Sequence, residues 1–77
     1  MSIDLAELDQ LQSGYKAAVD EWVAAIRQEE AVASVNHDVA EVDAWENAGF
    51  REEELRQKAK EAKAAYESAL RKEFFHF

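Results

Sequence analysis

Apolar residues in the first third of the chain, Leu5, Leu8, Leu11, Tyr15, Val19, Trp22 and Ile26, recur at steps of three and four. This is the repeat of one helix face, so the pattern predicts an amphipathic helix. Asp4-Leu5-Ala6-Glu7 supplies its start, because an N-cap carboxylate and a glutamate three residues on can satisfy orphan backbone N–H groups reciprocally; Ser2 is the alternative cap. Gly14 falls inside the pattern. It marks either a close helix crossing or a tolerated cost of about 1 kcal/mol against alanine.

A second apolar stripe follows at Val32, Val35, Val39 and Val42. Drawn on one straight helix at about 100° per residue, it centres roughly 160° away from the first. Supercoiling absorbs only about 20° per heptad. Either the helix breaks, or it continues and offers opposite faces to different neighbours. The residues between favour a break or sharp kink near Ser34 to Asp38: Ser34, Asn36, His37 and Asp38 are mediocre helix formers, and Asp38-Val39-Ala40-Glu41 is a second possible capping box.

Trp45-Glu46-Asn47-Ala48-Gly49-Phe50 reads as a Schellman ending, with Gly49 left-handed at C′ and Phe50 folded against Trp45. Glu52, Glu53 and Glu54 then complement the positive end of a last helix whose inner face is Leu55, Ala59, Ala62, Tyr66, Ala69 and Leu70. Alanine at half of those positions implies a close helix approach. The expected neighbour is the valine stripe, since a short turn makes consecutive helices antiparallel.

The last helix, at roughly 36 Å, would overhang the shorter piece from Asp38 to Ala48. The first helix could fold back to cover it as a three-helix arrangement, or a second subunit could. The reading preferred here is all-α, a single small helical domain over residues 1–77. Its architecture is an antiparallel helical hairpin of two long helices, the first broken or kinked near Ser34 to Asp38, paired into a dimeric helical bundle.

Composition sharpens this picture. The chain has no proline and two glycines, and no repeat of solenoid length is visible. Hydrophobic residues make up 48%, but alanine supplies much of that and adds little transfer energy on burial. At 77 residues the balance of burial against chain entropy comes out near zero. Without cysteine there is neither disulfide nor thiolate zinc site to help, which leaves association with another chain. The net charge of −8 argues against nucleic acid as a partner. The absence of a long apolar run or of a secretory-type start argues against the membrane and suggests a cytoplasmic protein.

Candidate chemistry is sparse. Ser2, Ser13, Ser34 and Ser68 lack a glycine-rich elbow or a suitably spaced base, and two isolated glycines cannot build a phosphate loop. No catalytic residue and no cofactor is expected. The best metal candidates are Glu30, His37 and Glu41, the last two spaced i to i+4, but there is no Glu-x-x-His element at either histidine and a solvated face is the plainer reading. Trp22 and Trp45 could line a ligand pocket, although tryptophan more often anchors a core or an interface. Phe74-Phe75-His76-Phe77 ends the chain on three aromatics. Phe74 and Phe77 can extend the stripe through Tyr66 and Leu70, while Phe75 points elsewhere, toward a second subunit or a docking partner.

These features predict a non-catalytic helical self-association and protein–protein interaction module, with a homodimer as the first assembly. Leu8, Tyr15, Trp22, Ile26, Phe74, Phe75 and Phe77 are the expected interface residues. The alternative is a small-ligand or divalent-metal-binding helical bundle with a carboxylate/histidine site.

Overall fold

The computed structural model describes residues 5–33 and 37–75. It contains two helices, α1 (Leu5–Val32) and α2 (Val39–Phe75), packed along each other as a rod of 58 × 18 × 12 Å. The indole N–H of Trp22 on α1 donates to a carboxylate oxygen of Glu52 on α2. Nearer the turn, one cleft is lined by Ala25, Gln28 and Val32 of α1 and by Ala44, Asn47, Ala48 and Arg51 of α2. Facing residues therefore have numbers that add to about 76, the signature of an antiparallel hairpin.

The hairpin turn falls where the phase shift between stripes predicts a break. α1 closes with a tight bond from Ala33 N–H to the Glu30 carbonyl. His37 then takes a left-handed φ of 50°, which redirects the chain. Asp38 caps α2, its carboxylate accepting the Glu41 N–H at 2.9 Å while its carbonyl accepts the Val42 N–H at 3.3 Å. The predicted capping residue thus starts the predicted helix. Asp4 and Ser2, the proposed caps of α1, lie outside the described residues, as does Val35.

Gly49 does not end a helix. It sits inside the 37-residue α2, and neither glycine has a positive φ. Middle and last segments are one helix, so the expected packing of valine stripe against last helix is absent. Val39 and Val42 are exposed, and Glu52 to Glu54 lie in mid-helix rather than at an N-terminus. Trp45 and Phe50, the expected staple, are both exposed and stand about 140° apart on the wheel. The physical reason is that a glycine costs a helix interior only about 1 kcal/mol, whereas stopping at Ala48 would strip most of α1, from Leu8 to Ala25, of its partner.

The seam between the helices follows a heptad. On α1 it runs through Leu8, Leu11, Tyr15, Ala18, Trp22, Ala25, Glu29 and Val32; on α2 through Ala48, Glu52, Leu55, Ala59, Ala62, Tyr66, Ala69 and Glu73. All are buried or half-buried, at alternating steps of three and four, as in an antiparallel coiled coil. The predicted inner face from Leu55 to Ala69 holds. On α1 the seam steps from Trp22 to Ala25 instead of Ile26, because a 3.5-residue repeat drifts away from the straight-helix stripe. Leu5 and Ile26 are left at the flank, 71% and 41% exposed. Among the described residues only Leu8, Ala25, Leu55, Ala59 and Ala69 are buried, and no side chain is completely enclosed.

Candidate interaction surface

One step round from the seam, Leu5, Gln12, Val19, Ile26 and Ala33 follow at seven-residue intervals on α1, and Val42, Gly49, Arg56, Lys63 and Leu70 do so on α2. In the antiparallel register these rows run side by side along one edge of the rod. The other edge carries Glu21, Gln28, Ala44 and Arg51, which line clefts together there.

The first edge is apolar where it counts. Leu5, Ile26 and Val42 are exposed, Val23 lies immediately outside Ile26, and Val19 and Leu70 are half-buried. Two cations interrupt the row, but each is drawn outward: Arg56 to Glu53 at 3.1 Å and Lys63 to Glu67 at 3.8 Å. That leaves their aliphatic stems along the edge. Beside Ile26, Gly49 opens a notch, since a Cβ built there meets nothing within 4 Å.

The expected interface residues divide in two. Leu8 is buried in the hairpin, and Tyr15 and Trp22 are half-buried in its seam. Ile26, Phe74 and Phe75 are exposed on the single chain. Phe74 and Phe75, both 64% exposed, stand at the end of α2, beside the start of α1. Phe77 and His76 lie outside the described residues. That Val19, Val23 and Ile26 form one edge distinct from the seam is not evident from the straight-helix stripe. The seven-residue spacing of Leu5, Val19 and Ile26 was the available signal.

The candidate metal residues do not converge. His37 Nδ1 stands 3.9 Å from Glu41 Oε2 with its ring exposed, and among the described residues no three histidine or carboxylate side chains gather as a metal-binding group. The cleft at the turn end, about 550 Å³ and open to solvent, exists because Ala25, Ala44 and Ala48 leave the helices without a filler between them. Neither tryptophan lines it. Among the described residues no helix is long and apolar enough to cross a membrane. Compared with known protein families, curated proteins and solved structures, the chain gives no significant match.

Proposed function

We propose that this protein is a non-catalytic self-association module, a helical hairpin that completes its core by pairing with a second copy. The supporting observation is its surface. A compact monomer of 8.8 kDa exposes about 4,800 Å² by the usual size scaling. This chain exposes 6076 Å². The excess is larger than the roughly 800 Å² per partner that a stable interface buries. It coincides with an exposed apolar edge and with a seam of which six of sixteen positions are alanine. Alanine permits close approach but contributes little burial energy, so the hairpin gains from covering Val19, Val23, Ile26 and Val42.

Sedimentation equilibrium over a dilution series, read beside far-UV circular dichroism, tests this. The expected result is the mass of two chains at micromolar concentration, with helicity falling as dilution separates them. A monomer that keeps its full helicity at every concentration overturns the proposal.

A further inference from the structure

Resting on that reading, we infer that the second copy docks on the Val19–Ile26 edge turn-to-tail, the hairpin turn of one chain beside the helix ends of the other. The determinant is charge, distributed unevenly along the rod. Between residues 38 and 54 there are seven acidic residues and one base, Arg51; between 55 and 75 there are six bases and three acids. α1 repeats the trend, with four acids and one base from 19 to 32 against two acids and one base from 5 to 18. The turn half of the hairpin therefore carries a net −9 and the opposite half +2 over these residues.

The same asymmetry borders the docking edge itself. In the rows just outside it, the turn half presents Glu30, Glu46 and Glu53, whereas the other half presents Lys16 and Lys60 beside Lys63, with Asp9 and Glu67 among them, so that it lacks the net negative charge of the turn half. Val19 sits at the middle of α1's edge row, so a two-fold axis perpendicular to the rod near Val19 lays the acidic turn half of each chain along the lysine-bearing half of its partner. An axis parallel to the rod would instead place both turn halves together and oppose acid with acid. Such like-charge juxtaposition along an interface costs several kcal/mol. Both arrangements cover the same edge, and the charges select between them. The result is an isologous four-helix bundle in which every chain uses the same surface.

With no native cysteine, labelling is direct. Spin labels at Asp43→Cys, on the exposed back of α2, should lie about 40 Å or more apart in the dimer at 1.5 Å rise per residue. A mixture of chains labelled at Asp43→Cys with chains labelled at Arg71→Cys should add a population at well under half that separation. Raising salt from 0.05 to 0.5 M should weaken association several-fold, since complementary rows are screened. A dimer with a short Asp43–Asp43 separation, or one tightened by salt, overturns the turn-to-tail arrangement and leaves self-association standing. A monomer at all concentrations overturns both.

Discussion

Trp22 and Glu52, thirty residues apart, are joined by a hydrogen bond from the indole N–H to the carboxylate, and both occupy seam positions of the hairpin. This bond fixes the register of the two helices near their centre. Six of the other fourteen seam positions are alanine, which specifies alignment poorly. A polar pair at a core position of a coiled coil is the recognised device for choosing one register over another.

Removing that pair should loosen alignment more than it lowers stability. Trp22→Phe keeps most of the ring volume but loses the donor, and Glu52→Ala loses the acceptor; each is expected to cost about 1 kcal/mol. In a double-mutant cycle by urea denaturation, the double variant should cost less than the sum of the singles. Strict additivity would show that the bond contributes nothing in solution.

The two glycines test the continuity of α2. Both lie in helix interiors with free space where a Cβ would stand. Gly14→Ala and Gly49→Ala should therefore each raise stability by about 0.5 to 1 kcal/mol. Had Gly49 been a left-handed cap, alanine there would destabilise, so the sign of the shift in melting temperature distinguishes one long helix from two.

Asp38 holds the start of α2 through its bond to the Glu41 N–H. Asp38→Ala is expected to cost about 1 kcal/mol, and Asp38→Asn, which keeps an acceptor, much less. Equal losses for the two variants in thermal melts would mean that the carboxylate acts through its charge on the helix dipole instead.

Ala59 is 3% exposed at the seam between Leu55 and Ala62. A larger side chain there must push the helices apart, and Ala59→Leu should lose about 1 to 3 kcal/mol. A stabilised variant would indicate that the helices stand further apart than described.

Several features were legible in local chemistry. The lack of proline and the helix-forming vocabulary foretold an all-α chain; the phase jump between Ile26 and Val39 foretold the break; Asp38 was readable as a cap because capping is a contact within four residues. The inner face from Leu55 to Ala69 was readable for the same reason, since its spacing alone places it on one side. Gly49 was not. Asn-Ala-Gly-Phe followed by three glutamates carries every local mark of one helix ending and another beginning, and nothing within ten residues contradicts it.

What the amino-acid order determined by itself, then, was helix content, a break ahead of Val39 though not that it is the hairpin turn, and the scarcity of large buried side chains, because each follows from short-range sterics, capping and composition. Tertiary packing decided the rest. Only the docking of a 28-residue α1 against α2 makes it favourable to run a helix through Gly49 and turns Trp22 and Glu52 into partners. The same docking leaves Ile26 beside the seam rather than in it. Those outcomes depend on contacts between residues of different helices, a dozen or more positions apart, whose energy exceeds the about 1 kcal/mol local preference that they override.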